Sequence, residues 1–145
     1  MNTAKPAGGF LARDWCEGSP LAPLARRRFD LPAELAETIA DDWGYRRMVT
    51  FGGHSGYMPS TGPGRVGWLA ERVTIGQALG STATTAQVVP AAFTRAMMRA
   101  AEANGATLRA GRVTGVFDGG AEVDGERGAA GAVVIAMGPW SILAA

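Results

Sequence analysis

The sequence predicts a mixed α/β fold, and three observations support that prediction. Residues 90–104 repeat apolar side chains with helical periodicity, and residues 132–136 form a continuous apolar run, typical of a strand buried on both faces. Several shorter segments have the β-branched composition of strands. Glycine makes up 21 of the 145 residues and is interspersed with apolar segments, which indicates turns and close backbone approaches rather than a linker.

Two helices account for the predicted helical content. In the first, Ser19 and Pro20 resemble an N-cap and a first helical residue, and an apolar stripe runs on to about Asp42. The members of that stripe are Leu21, Leu24, Arg28, Leu31 and Leu35. Pro32 interrupts it, so we expect either one kinked helix or two abutting helices, the second capped by Asp30.

The second helix is the clearest predicted element. Pro90 opens it, and Asn104 with Gly105 closes it. Its apolar face consists of Phe93, Ala96, Met97, Ala100 and Ala101.

Short strands are predicted around these helices. They cover residues 45–51, 84–89, 106–109, 112–117 and 121–123. Asp118-Gly119-Gly120 indicates a turn, and Asp124-Gly125 indicates a hairpin. Residues 52–67 are predicted to be a long loop, and the ambiguous segment 68–79 to contain a short helical turn over 68–71.

The apolar run 132–136 leads into Gly138-Pro139-Trp140-Ser141. Ligands of open α/β sheets bind at the carboxyl ends of strands, and glycine lets a backbone approach closely. We interpret this segment either as a buried strand that delivers a glycine turn to a ligand or as an ordinary core strand ending in a turn.

Composition argues against several classes of function. The net charge of +1 gives no electrostatic reason to expect nucleic acid or an acidic membrane surface, and residues 26–28 (three arginines) are interpreted as a solvated helix face. Because Cys16 is the only cysteine and His54 the only histidine of the sequence, neither an internal disulfide nor a metal site is expected. No apolar run approaches the ~20 residues of a membrane span, and no secretory h-region is evident, so we expect a cytoplasmic protein.

Three further features each allow a functional and a non-functional interpretation. Residues 62–67 read G-x-G-x-x-G, but Pro63 lies inside the motif and no strand precedes it, so we interpret it as a loop. His54 is either a general base or a solvent-exposed loop residue. Cys16 is interpreted as a small packed residue rather than a redox thiol.

Four segments, in this order, resemble one known family. They are Ala7-Gly8-Gly9-Phe10-Leu11-Ala12-Arg13-Asp14-Trp15-Cys16, then Thr84-Thr85-Ala86-Gln87-Val88-Val89-Pro90 with the helix and Asn104-Gly105-Ala106, then Gly111-Arg112-Val113-Thr114-Gly115-Val116, and finally Val133-Val134-Ile135-Ala136-Met137-Gly138-Pro139-Trp140-Ser141. The order and spacing resemble D-amino-acid-oxidase-like (DAO) flavoproteins, in a branch of FAD-dependent oxidoreductases related to glycine and sarcosine oxidases. The resemblance is weakest over residues 52–80.

The resemblance implies part of a Rossmann-like FAD-binding domain, over 1–44 and 90–145, and part of a substrate domain over 45–89. It also implies oxidation of a small-molecule amine or amino acid by hydride transfer to FAD. By position, Ala7, Gly8, Gly9 and Phe10 would line the ribityl and ring region of the flavin, Val113 would contact adenine through its backbone, and Ala136, Gly138 and Trp140 would lie near the adenosine and pyrophosphate.

Substrate-binding and stacking residues are less defined. An arginine at the start of strand 45–51 could bind a substrate carboxylate bidentately. Alternation puts Arg46 and Arg47 on opposite faces, so at most one points inward, and Arg46 is the candidate. Trp15 and Trp140 either stack on the cofactor or pack in the core. No catalytic residue, substrate identity, electron acceptor or oligomeric state is predicted.

The sequence departs from the family pattern at several points. Pro6 stands where a basic residue is expected, although Lys5 is adjacent, and Val89 stands where a polar residue is frequent. The family's first strand and its G-x-G-x-x-G turn are missing, so we expect an internal fragment that binds FAD weakly or not at all and has marginal stability. The alternative is a non-catalytic α/β module that binds a partner through the loop 52–67.

Overall fold

The computed structural model describes residues 8–55 and 73–138, together with Gly67, Leu69, Trp140 and Ser141. The chain divides into two compact units, Met1–Gly105 and Ala106–Ala145. In the first unit the elements are β1 (Phe10–Ala12), α1 (Ala22–Thr38), β2 (Arg46–Arg47), β3 (Thr50–Ser55), β4 (Val73–Gly80), β5 (Thr85–Gln87) and α2 (Pro90–Ala103). In the second they are β6 (Val113–Phe117), β7 (Gly120–Val123) and β8 (Glu126–Ala129). Helices and antiparallel sheets occur together, which confirms the predicted mixed fold.

Strands β1, β5 and β2 form an antiparallel sheet with β5 in the centre. The cross-strand rows are Phe10, Gln87 and Arg46, and next to it Leu11, Ala86 and Arg47. Because side chains alternate along a strand, the two rows face opposite sides of the sheet. The second row faces the core, since Leu11 and Ala86 are buried and the Arg47 guanidinium lies 4.6 Å from the centroid of the Phe29 ring.

The hydrophobic core of the first unit combines residues of this sheet with both helices and the connection after α1. Its buried members are Leu11, Phe29, Trp43, Ala86, Val88 and Ala96. Trp43 is the aromatic centre, because its ring centroid lies 5.1 Å from that of Phe93 and 5.5 Å from that of Tyr45. Helix α2 packs through Ala96, with Phe93 and Met97 partly buried, so the predicted helix and this part of its apolar face are confirmed.

Helix α1 is one continuous helix with Pro32 inside it, which settles the two alternatives. It begins at Ala22, with Pro23 in the first turn, rather than at Pro20. The predicted apolar stripe is confirmed only at Leu35, which packs partly buried against the core, whereas Leu21 and Leu24 are 58% and 65% exposed. The buried face contains Ala22, Phe29 and Pro32, so packing of the Phe29 ring, rather than the number of leucines, decides which face turns inward.

The hairpin of β3 and β4 corrects two predictions. Residues 52–55, expected in a loop, belong to β3, and the ambiguous segment contains strand β4. Glycine in a strand permits close backbone contact, and a Cβ on Gly76 would lie 3.3 Å from the carbonyl oxygen of Gly52. The predicted helical turn over 68–71 lies outside the described residues except for Leu69.

The predicted strand 45–51 is divided between two sheets. Its first part, β2, pairs with β5, whereas β3 pairs with β4. The fully buried Thr85 lies at this crossing, because its hydroxyl oxygen is 2.6 Å from the Met48 carbonyl oxygen and 3.1 Å from the Thr50 hydroxyl. Met48 also donates its N–H to the Thr85 carbonyl.

The second unit is an antiparallel meander of β6, β7 and β8. The strand predicted over 112–117 and the one over 121–123 are confirmed, and so is the hairpin turn. Asp124 and Gly125 have φ values of 51° and 81°, as the two central residues of a type I′ turn require. Strand β8 was not predicted, and no strand forms over 106–109.

The predicted buried strand over 132–136 is wrong. These residues form no regular element and are exposed, Val134 by 88%. A strand buried on both faces needs paired neighbours and covering layers, and the described residues of the second unit supply neither to this segment. Separately, the described part of the chain contains no helix long and apolar enough to cross a membrane.

Candidate functional site

A groove of the first unit lies between the β1–β5–β2 sheet and the β3–β4 hairpin. Its volume is about 630 Å³, within the roughly 300–1,000 Å³ of ligand pockets. Gly8, Phe10 and Gln87 line it from the side of the first sheet. The other lining residues are Met48, Val49, Thr50, Phe51, Gly52, Gly53, Leu69, Val73 and Ile75. Most of these side chains are apolar, so the groove suits a ligand with a large apolar body and few polar atoms.

The two glycines of the glycine segment (Gly8-Gly9) differ in role, and of the two only Gly8 lines the groove. A Cβ on Gly8 would meet nothing within 4 Å, so its backbone borders open space. Gly9 has φ +67°, and a Cβ there would lie 2.1 Å from the carbonyl oxygen of Val88. Gly9 is therefore required by the fold, whereas Gly8 leaves the groove open.

One row of side chains crosses the groove face of the sheet, formed by Phe10, Gln87 and Arg46. Gln87 is half-buried between its two neighbours. Arg46 Nη2 donates to Gln87 Oε1 at 2.7 Å, and Arg46 itself is not among the residues that line the groove. Arg46 and Arg47 contact opposite faces of the sheet, as alternation predicts.

A second, smaller groove of about 220 Å³ is also lined by Phe10. The half-buried Cys16 lines it together with Trp15 and Arg28. Trp15 is 53% exposed, its ring centroid is 5.0 Å from that of Phe10, and its Nε1 donates to the Leu79 carbonyl at 3.0 Å. Trp15 is thus neither a core residue nor part of the larger groove.

The remaining predicted cofactor residues belong to the second unit. Val113 begins β6, pairs with Val123 and is 49% exposed. Ala136 and Gly138 are exposed, Gly138 has φ +58°, and Trp140 is 67% exposed. These residues are exposed, and one of them carries an aromatic ring.

The candidate cofactor residues are therefore distributed over both units. Gly8, Gly9 and Phe10 belong to the first unit, in which Gly8 and Phe10 line the groove, and the other four lie in the second unit. Ala7 lies outside the described residues, as do Lys5, Pro6, Pro139 and the first five residues of the G-x-G-x-x-G sequence over 62–67. His54 is an exposed residue of strand β3 rather than of a loop.

Charged groups around α1 are mostly paired with one another. Arg26 Nε donates to Glu17 Oε1 at 2.9 Å, and Arg27 pairs with Glu34. The hydrogen bonds from Arg26, followed by its charge, lower the pKa of the Glu17 carboxyl. Arg13 is similarly paired with Asp30. The arginine cluster is thus a solvated and largely neutralised face, as its composition predicts.

Sequence reasoning missed Gln87 and Thr85 as parts of this region. Both lie in the segment used for the resemblance, but neither has a local signal that separates it from other polar strand residues. Their positions follow from pairing of β5 with strands distant in the sequence. Only alternation along β5, with buried Ala86 between them, indicates that both side chains leave the core face.

A family model described as FAD dependent oxidoreductase (DAO) matches residues 2–145. The matched range spans the groove, the glycine segment and both units. No solved structure matches the chain.

Proposed function

The chain belongs to the DAO family of FAD-dependent oxidoreductases, and from this premise we propose that it contributes the ring and adenosine contacts of an FAD site. The enzyme would oxidise an amine or amino acid. The observation that carries the proposal is Gly8, whose backbone borders a groove of ligand size in a chain matched by the family over almost its whole length.

The first unit fits the ring end of FAD. Gly8 offers an open backbone at the groove wall, Phe10 an aromatic surface and Gln87 a polar side chain. A flat, largely apolar heterocycle with polar atoms at its edge matches such a lining. Gly8, Gly9 and Phe10, with Ala7 before them, are the proposed contacts to the ring and ribityl chain.

The second unit supplies the proposed contacts to the adenosine end. Val113 would meet adenine through its backbone, and Ala136, Gly138 and Trp140 would lie along the adenosine and pyrophosphate. Support comes from the accessibility of this segment and from the positive φ of Gly138, which opens the backbone on a side that a Cβ normally covers. The exposed Trp140 ring is available to stack on a flat group.

When bound, FAD would accept a hydride from a C–H bond of the substrate, which is the chemistry that the cofactor provides. The chain would hold the ring and exclude water through the apolar side chains of Met48, Val73 and Ile75. Arg46 is the proposed contact to a substrate carboxylate. Its bond to Gln87 engages one guanidinium nitrogen and leaves other N–H donors for such a contact.

We further propose that residues 1–44 and 90–145 belong to the FAD-binding part of the enzyme and residues 45–89 to its substrate part. Support comes from β3 and β4, which pair with each other in a sheet of their own, whereas β2 and β5 of the same range form a sheet with β1. The alternative of a partner-binding module depended on a loop over 52–67, and residues 52–55 of that segment are in β3.

The test is a titration of the 145-residue chain with FAD, followed by quenching of flavin fluorescence. We expect weak but saturable binding. Gly8→Leu would place a side chain in the groove and weaken FAD binding about tenfold, equivalent to about 1.4 kcal/mol. Gly67→Leu is the matched control, because a Cβ there also meets nothing within 4 Å and Gly67 does not line the groove.

Two outcomes would contradict the proposal. Absence of saturable FAD binding at millimolar concentration would contradict the proposal that the chain binds FAD. Equal weakening by Gly8→Leu and Gly67→Leu would remove the glycine segment from the site.

A further inference from the structure

We propose that Gln87 binds the cofactor ring by donating a side-chain amide N–H to an acceptor atom at the ring edge, and that Arg46 is the positioning residue that holds this amide. The inference rests on the proposed function, since it names the polar contact that the groove offers to its ligand. Neither role followed from the sequence, which indicated Arg46 as a contact to the substrate itself.

The row Phe10, Gln87, Arg46 sets up the geometry. These residues are directly opposite one another in the antiparallel register, so their side chains are neighbours on one face of the sheet. Phe10 and Gln87 line the groove, whereas Arg46 stands behind Gln87 and is not among the lining residues. A ring lying beside Phe10 would therefore meet Gln87 as the next side chain of the row.

The contact with Arg46 determines which way the amide faces. A guanidinium carries only donors, so the atom that accepts from Arg46 Nη2 at 2.7 Å has to be the carbonyl oxygen of the Gln87 side chain. The amide nitrogen is then turned away from Arg46. The assignment of the amide oxygen and nitrogen of Gln87 therefore rests on the donor character of the guanidinium and not on telling the two atoms apart by shape.

The amide nitrogen is left with a capacity to donate. Within the part of the chain that the structure describes, Gln87 Nε2 makes no hydrogen bond, although the residue is half-buried. A half-buried donor gains from an acceptor that arrives with a ligand, because it otherwise loses part of its hydration without replacement. The ring of a flavin carries carbonyl oxygens and unprotonated ring nitrogens at one edge, which are acceptors of this kind.

The chain offers a well-matched test, because Gln77 and Gln87 are its two glutamines. Gln77 is exposed on β4 and does not line the groove. Gln87→Glu keeps the shape and the acceptor facing Arg46 but replaces the donor by a second acceptor. Gln77→Glu makes the same change in shape and charge away from the groove. FMN, which carries the ring without the adenosine, is the ligand for the titration.

Binding is followed by NMR on the 15N-labelled chain, in which the two glutamine side-chain amides are assigned from the two variants. We expect FMN to shift the Gln87 side-chain amide of the wild-type chain and not that of Gln77. Gln87→Glu should raise the Kd for FMN about tenfold, as expected for loss of a hydrogen bond with an acceptor left facing another acceptor. Gln77→Glu should leave the Kd within about a factor of two, as for a surface substitution.

The role of Arg46 has a separate measurement. Arg46→Leu should shift the Gln87 side-chain amide before any ligand is added and raise the Kd for FMN about threefold, by less than the loss of the donor itself. Arg46→Lys retains a donor and should restore most of the affinity. A purely structural role for Arg46 would move backbone resonances of β5 without this rescue.

The outcomes separate the inference from the proposed function. Saturable FMN binding that is equal in the wild-type chain and Gln87→Glu overturns the inference and leaves the flavin site in place. An FMN titration that shifts no resonance around the groove overturns both.

Discussion

At the scale of single residues, Gly9 is required by the fold, whereas Gly8 belongs to the candidate site. Gly9 combines a left-handed backbone with a position against the Val88 carbonyl, so no side chain fits there. Gly8 borders open space, so its missing side chain matters to a ligand rather than to the fold. The two adjacent glycines thus have different roles, which the structure distinguishes and the sequence does not.

This difference predicts that alanine substitutions at Gly9 and Gly8 change the free energy of unfolding by different amounts. Gly9→Ala should lower the free energy of unfolding by at least about 2 kcal/mol, because it adds the cost of a left-handed alanine to an overlap with Val88. Gly8→Ala should change it by no more than about 0.5 kcal/mol. Urea denaturation followed by tryptophan fluorescence measures both. Equal effects of the two substitutions would contradict the assigned roles.

Glu17 provides a prediction of pH dependence at the same scale. Its pKa is lowered from the ordinary value of 4.5, mainly by the hydrogen bonds from Arg26. Because the pKa is lower in the folded chain, the stabilising effect of the pair is present above pH 4.5 and is lost as the pH falls through the lowered pKa. Both groups are exposed, so the effect on stability should be small.

The measurement is an NMR titration of the Glu17 carboxyl carbon. We expect a pKa below 4.5 in the wild-type chain that rises toward 4.5 in Arg26→Gln. Arg27→Gln is the control, because Arg27 pairs with Glu34 instead. An unchanged Glu17 pKa in Arg26→Gln would show that the pair does not persist in solution.

At the scale of elements, α1 shows which features a sequence can and cannot predict. The helix itself and α2 were predicted, because periodicity and terminal signals act within a few residues. The hairpin at Asp124-Gly125 was predicted for the same reason, since the turn depends on those two residues. The buried face of α1 was not, because its inward side is chosen by the partners that Phe29 meets across the core.

The buried face of α1 leads to a stability prediction. Phe29 is 1% exposed, packs in the core and lies under the Arg47 guanidinium, whereas Leu24 is 65% exposed. Phe29→Ala should cost about 3–5 kcal/mol, as for other large buried aromatic residues. Leu24→Ala should cost no more than about 0.5 kcal/mol. Thermal denaturation of both variants, followed by circular dichroism, tests which face is buried. A larger loss of stability in Leu24→Ala than in Phe29→Ala would show that the leucine stripe is the buried face.

The segment 132–136 shows the limit of composition as a guide to strands. Its β-branched residues favour an extended conformation, but pairing requires a neighbouring strand. The strands of the second unit form a meander that ends before this segment, so it remains exposed. The prediction failed because it assumed partners that periodicity alone does not supply.

At the scale of the whole molecule, the proposed cofactor residues divide between the two units. The resemblance assigns Gly8, Gly9 and Phe10 to the cofactor; Gly8 and Phe10 line one groove, and their contact with FAD stays a prediction. It gave no indication of the Gln87–Arg46 pair, because that pair joins residues 41 positions apart through sheet pairing. A site built from local motifs is therefore easier to predict than the contacts between strands that complete it.

The central claim is that the first unit binds the flavin ring and that the second unit, considered by itself, offers contacts to adenosine. The most direct measurement is an NMR titration of the 15N-labelled chain with FMN and, separately, with AMP, which carry the two ends of the cofactor. We expect FMN to shift the backbone amides of Gly8, Gly9 and Phe10, AMP to shift those of Val113, Ala136 and Gly138, and FAD to shift both sets. AMP shifts confined to the first unit, or no saturable shift at either set with any of the three ligands, would contradict the account.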